Sequence, residues 1–215
     1  RNVRLSAIFI VVFGATFWLA SFDWIMSLEP HWYSTIFGVY SFAGLFLGGL
    51  AAIIILAVWL ERMGALRHIL TEEHLLDLGR LLFAFSTFWA YIWFCQYMLI
   101  WYANFPEESG YFIHRLRGHW ESLFLLNLFL NWVVPFFVLL PRASKRSAGV
   151  LLKVSVVILL GRWLDLYLMI LPPLAGAEPA FGVWEVGLMI GAVAGGALVF
   201  FRALAQASLI PVKDP

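Results

Sequence analysis

Apolar residues fill this chain in six long blocks, at 5–27, 35–60, 79–103, 121–140, 149–171 and 181–205. Each block holds the roughly 20 mostly apolar residues that a helix needs to cross the hydrocarbon core of a bilayer. The stretches between blocks are short and leave no room for a separate soluble module. The pattern predicts an all-α fold: a polytopic transmembrane helix bundle with six spans, forming one domain over residues 1–215. The first block is too long for the apolar region of a secretory signal and lacks an obvious cleavage site, so no cleavable signal peptide is expected.

Composition agrees with the pattern. Hydrophobic residues make up 63% of the chain and charged residues 13%, against about half and about a quarter in soluble domains. Eleven tryptophans and twenty phenylalanines suit a lipid-facing, densely packed bundle. The net charge of +1 says little about partners, but its distribution does. Eleven Lys and Arg residues fall at the N-terminus, in 61–80, in 141–153 and at the C-terminal end, while only Arg115 and Arg117 flank the other side. Lys and Arg mark the cytoplasmic side of a membrane protein, so both termini are expected in the cytoplasm.

Smaller signals punctuate the blocks. Thr71 and the acidic residues of "TEEHLLDLGR" (71–80) resemble a helix start. The loop "SLEPHWYSTIFG" is aromatic-rich, which fits an interfacial belt or a re-entrant lid over a pocket. Gly187, Gly191 and Gly195, and likewise Gly44 and Gly48, recur at four-residue spacing. Such stripes read as packing devices that let helix backbones approach. Pro135 should kink its helix, because its nitrogen cannot donate to the preceding turn.

The block at 149–171 breaks the apolar rule. In "LLGRWLDLYLMILPP" (159–173), Arg162 and Asp165 sit inside the span, where one charge costs roughly 2.5–3.5 kcal/mol on insertion scales. Residues three apart share a helix face and can pair. Asp165 should lie roughly 9 Å from the outer end of its helix, with Arg162 a turn deeper. Asp23, Glu185, Gln96, Tyr97, Asn127 and Asn131 also fall in the outer half, and His31 lies in the adjoining outer loop. The inner half offers mainly Ser86, Thr87, Ser155 and Lys153. Two readings stay open: a polar pocket opening outward, or an ion pair that only cancels charge and pins its helix. Asp23 and Glu185 could also simply reach headgroup water.

Cofactor chemistry finds no ligand set. Of the five histidines, His31, His68, His74, His114 and His119, none lies where a membrane haem takes its axial pair. The single Cys95 gives neither a disulfide nor a thiolate metal site, and no hydrolase elbow, zinc-protease or phosphate-loop motif is present. No cofactor and no metal is expected on this chain, and any electrons must travel through other subunits.

Three stretches carry a family resemblance: 21–56, "SFDWIMSLEPHWYSTIFGVYSFAGLFLGGLAAIIIL"; 71–109, whose "FWAYIWFCQYMLIWYANFPEE" is the most specific part; and "GRWLDLYLMILPP" followed by "VWEVGLMIGAVAGG". Bacterial alternative complex III, the quinol:cytochrome c oxidoreductase, contains two related membrane subunits. The chain resembles the one linked to proton movement, more distantly the one assigned the quinol site, and more distantly still the polysulfide-reductase membrane subunits. The family has about ten spans, so the six here resemble its C-terminal part. The resemblance implies a non-redox subunit of the bacterial inner membrane. Quinol or menaquinol would be the substrate of the complex. Haem c and iron–sulfur clusters would sit in partner subunits, beside a related quinol-binding membrane subunit. Arg162 and Asp165 would be the leading proton-path or polar-pocket residues, with Asp23, Glu185, Tyr97 and His31 in support. Two other functions remain: a proton channel or secondary transporter subunit, and a structural scaffold for the redox subunits.

Overall fold

A computed structural model describes residues 2–67, 69–175, 179 and 181–206; Arg1, His68 and Lys213 lie outside them. The described residues are helical, with no strand among them. They form two compact units, residues 1–179 and residues 180–215.

In the first unit α1 (Asn2–Trp24) leads through a short 3-10 turn into α2 (Phe37–Arg62), then α3 (Glu72–Ala103). Two shorter pieces follow, α4 (Pro106–Arg115) and α5 (Trp120–Leu128). A π-helical turn at Phe129–Val133 joins α5 to α6 (Val134–Leu139), so that Trp120–Leu139 makes one continuous rod. Then come α7 (Arg142–Arg146), α8 (Ala148–Ile170) and the single turn α9 (Pro172–Ala175). The second unit holds α10 (Val183–Gln206).

Five helices are long and apolar enough to cross a membrane: Val3–Leu28, Phe37–Arg62, Glu72–Ala103, Trp120–Leu139 and Val183–Gln206. The sixth expected span, α8, has 23 residues, enough for about 34 Å, but it carries Lys153, Arg162 and Asp165. Helix α3 begins at Glu72, as the helix-start signal at Thr71 predicts, and so runs ahead of the apolar block that starts at 79. The Thr71 side chain accepts from the His74 backbone N–H, and the His74 ring accepts from the Thr71 backbone N–H, a reciprocal cap that satisfies two otherwise orphaned donors.

Helix α2 is the hub and packs chiefly on α8 and α3. Leu47, Ile54, Leu82, Leu139, Leu151 and Ile158 meet in the core with no exposure at all. Along α8, Leu151 and Ile158 lie on the Ser155 side of Arg162, and the core around them is apolar apart from buried Ser155. Helix α1 touches the bundle lightly, through Phe17 against Phe42 at 6.4 Å and the Trp18 ring over Gly38. Most of its apolar surface, including Ile8, Phe9 and Ile10, stays exposed, as a lipid-facing helix requires.

Prolines shape two further points. A regular helix would bond the Asn131 carbonyl to the nitrogen of residue 135, which is proline and has no N–H. The Ser86 hydroxyl of α3 donates to that carbonyl at 2.6 Å. The expected disturbance at Pro135 thus takes the form of a π turn with its freed carbonyl bonded across to α3. Among the glycine stripes, Gly44 and Gly48 lie where α2 packs on Arg162 of α8, while within the second unit a Cβ at Gly187, Gly191 or Gly195 would meet nothing. Gly44 belongs to the candidate site.

Candidate functional site

Helix periodicity puts Ser155, Ile158, Arg162 and Asp165 on one face of α8, and that face points into the bundle: Arg162 is 8% exposed and Asp165 1%. Arg162 Nη1 lies 2.8 Å from Asp165 Oδ2. The two atoms meet as an ion pair, without the alignment of a directed hydrogen bond. The guanidinium fits because α2 has no side chain at Gly44; a Cβ there would overlap it, and Gly48 lies under its stem. It also sits 5.6 Å from the Trp89 ring of α3, a cation–π distance.

The other carboxylate oxygen is fully engaged. Asp165 Oδ1 accepts from the Tyr40 hydroxyl of α2 and from Asn127 Nδ2 of α5 at 2.6 Å. Asn127 in turn accepts from Asn131 Nδ2 at 2.7 Å, and the Asn131 backbone takes the Ser86 bond. Gly161 makes room for Asn131, whose amide a Cβ would approach to 2.7 Å. Four helical elements are therefore tied through one polar file, Asp165–Asn127–Asn131–Ser86, with Tyr40 at its head. The file ends at Ser86.

A second buried charge lies at the end of the bundle where α8 stops. Arg115, at the end of α4, is 1% exposed. Its Nε donates to the Leu168 carbonyl at 2.8 Å and its Nη2 to that of Met169 at 3.4 Å. These are the carbonyls that Pro172 and Pro173, four residues on, cannot serve. Arg115 Nη1 donates to the Tyr111 carbonyl at 2.8 Å, and Nη2 pairs with Glu29 at 2.8 Å. The guanidinium lies 3.5 Å over the Tyr111 ring, whose opposite neighbour is Trp32, stacked at 3.9 Å. Burial pushes the Tyr111 hydroxyl up to about 12, with Arg115 pulling the other way. The position of Arg115 between two apolar blocks reads as an exposed loop. It is instead a buried cap on α8, and the "SLEPHWYSTIFG" loop is fastened over it by Glu29 and Trp32.

Two spaces adjoin these charges, and a third lies on an apolar face. A small one of about 20 Å³ lies between Asp165 and Arg115, with Gln96, Tyr40, Asn127 and Tyr111 among its walls. A surface groove of about 320 Å³ is lined by Glu29, His31, Glu107, Tyr111 and His114, among others. An apolar groove of about 410 Å³ runs along α3 and α5, with Tyr91, Phe94, Leu128 and Trp132 among its walls.

Of the six residues singled out in the sequence, the structure brings only Arg162 and Asp165 together. Tyr97 is half-buried among aromatics, 6.2 Å from Trp93 and 5.2 Å from Phe112, and does not line the small space. His31 is exposed in the surface groove. Asp23 is exposed in the last turn of α1. Glu185 belongs to the second unit, where it accepts from the Gly182 N–H at 2.7 Å. Tyr40 and the Arg115–Glu29 pair are functional candidates that sequence reasoning missed, and Gln96 and Gly44, read there only as an outer-half polar residue and a packing glycine, join them. Among the described residues no group of three or more His, Cys, Asp or Glu is placed to hold a metal.

In comparisons with known proteins, no family model matches this chain and no curated protein matches it significantly. The long apolar helices define its class as a multi-pass membrane protein.

Proposed function

We propose that this chain is a six-span subunit of a quinol-oxidising respiratory complex in a bacterial inner membrane, with both termini cytoplasmic. The carrying observation is the Asp165–Arg162 pair, almost wholly buried inside helices of membrane length. Ionisable groups inside a membrane are costly, and they mark proton relays and ligand pathways. The pair also accounts for α8 as the sixth span: two of its three charges neutralise each other, and Lys153, near the helix start, can snorkel. The resemblance of 21–56, 71–109 and 161–196 to alternative complex III subunits supplies the quinol assignment. Asp165 would handle protons released in quinol oxidation near the outer face. Electrons would pass through haem and iron–sulfur partner subunits.

The dry layer between Ser86 and the Ser155 end of the bundle argues against a continuous channel. A purely structural role has one specific point in its favour. Two donors and the Arg162 charge already surround the Asp165 carboxylate, as in a clamp.

Purification from native membranes tests the proposal. Haem and iron–sulfur signals should co-elute with the chain, together with quinol-dependent cytochrome c reduction. Asp165→Asn in an assembled complex should slow that reduction. A particle with neither centre would refute the proposal; normal turnover in an assembled Asp165→Asn complex would favour the clamp.

A further inference from the structure

Helix α3 buries two polar side chains, Ser86 and Gln96. Ser86 serves the Asn131 carbonyl. Gln96 is only 5% exposed, yet among the described residues nothing bonds to its amide. Gln96 borders the space of about 20 Å³ between Asp165 and Arg115. All of its other walls except Trp93 are buried. A water needs roughly 10–15 Å³ and two to four polar partners. Three groups bordering the space have capacity left. A carboxylate offers about four acceptor positions; Asp165 gives two of them to Tyr40 and Asn127 and faces Arg162 as an ion pair. A guanidinium has five N–H donors, and Arg115 directs three at Leu168, Met169 and Tyr111 and faces Glu29 as an ion pair. The Gln96 amide supplies both a donor and an acceptor.

We propose that this space is an ordered-water site held by Gln96, through which Asp165 exchanges protons with the surface groove of Glu29, His31, Glu107 and His114. The role of Asp165 rests on the proton-handling reading above; the water site itself does not. Tyr111 is the wall common to the small space and the groove, and Glu29 reaches from the groove to Arg115. A proton leaving Asp165 breaks its carboxyl O–H bond and forms an O–H bond on the water, which releases a different proton past the Tyr111 wall to the groove, where the Glu29 carboxylate accepts it. No oxidant or further reactant is needed. The space is far too small for a quinol ring. Gln96 is thus a positioning residue acting through the water.

The test uses the chain with whatever subunits it carries, in lipid nanodiscs, imaged finely enough to show ordered water. Density for water is expected between Gln96 and Asp165, absent in Gln96→Met and retained in Gln96→Asn. An infrared O–H band that moves on substituting H₂¹⁸O should follow the same pattern. Should Gln96→Met fail to fold, the wild-type density and isotope-sensitive band decide the matter alone. An empty space, or water density unchanged in Gln96→Met, would overturn the site. Where quinol turnover is present, Gln96→Met should lower it at least about tenfold, as expected for losing a positioned proton-transfer group, and Gln96→Asn should restore most of it. Unchanged turnover after loss of the water would overturn the relay. Absence of quinol turnover in the wild type would count against the respiratory assignment and leave the water site standing on its density.

Discussion

Replacing Asp165 by Asn keeps the side-chain shape and removes its charge. Arg162 is then stranded at 8% exposure, with the Trp89 face at 5.6 Å as its remaining electrostatic partner. Breaking a buried pair from one side costs about 3–5 kcal/mol. Arg162→Met strands Asp165 instead, but Tyr40 and Asn127 still donate to it. Hydrogen bonds to a charged group contribute about 1.5–3 kcal/mol each, so this change should cost less, about 2 kcal/mol. Arg162→Met combined with Asp165→Asn removes both charges and keeps an acceptor for Tyr40. Its cost should fall short of the sum of the single costs by at least about 2 kcal/mol. Equilibrium unfolding of the purified protein in mixed micelles of rising SDS content, followed by circular dichroism, measures all four corners of the cycle. Additivity within about 0.5 kcal/mol would show that the two residues do not interact, and the reading of α8 as a neutralised span would fall with it.

Other changes probe the surrounding structure. Gly44→Ala sets a methyl group against the Arg162 guanidinium; it should cost about 1–3 kcal/mol as overpacking, and much less in an Arg162→Met background, by the same unfolding assay. Ser86→Ala removes the donor to the Asn131 carbonyl and should cost about 1 kcal/mol, the scale of interhelical hydrogen bonds in membranes. Arg115→Met should cost more, about 3–5 kcal/mol, because it strands Glu29 and leaves two helix-end carbonyls without donors; a melting temperature equal to wild type would contradict the capping role. For topology, a membrane-impermeant thiol reagent applied to intact cells of a Cys95→Ala protein should label cysteine at Gly110 and miss cysteine at Ser144. The reverse pattern would invert the orientation.

The helices were legible because apolar block length is a direct consequence of bilayer thickness, and the Arg162–Asp165 contact because a three-residue spacing is fixed by helix geometry. What surrounds the pair was less legible. Tyr40 lies 125 residues from Asp165, in "GVYSF", where it reads like any aromatic of a membrane helix. Gly44 was recognisable as a place of close approach, but a guanidinium came close there as well as a helix. Arg115 looked like a loop charge because "YFIHRLRGHW" is a break between spans. A signal for it did exist: Pro172 and Pro173 announce that the carbonyls of residues 168 and 169 need outside donors, as Pro135 does for residue 131. The sequence shows the debt but not which distant side chain settles it.

The sealed layer of Leu47, Ile54, Leu82, Leu139, Leu151 and Ile158 also has an electrical meaning. Transmembrane voltage drops where the dielectric constant is low, and a full crossing changes the energy of a unit charge by about 2.3 kcal/mol per 100 mV. With that drop concentrated across the sealed layer, a proton passing between Asp165 and the neighbouring groove traverses little of the field and responds weakly to voltage. A proton driven to Asp165 from the opposite face would have to climb through nearly all of it. On the proposed route Asp165 is thereby connected to one face of the protein, while the field is borne elsewhere.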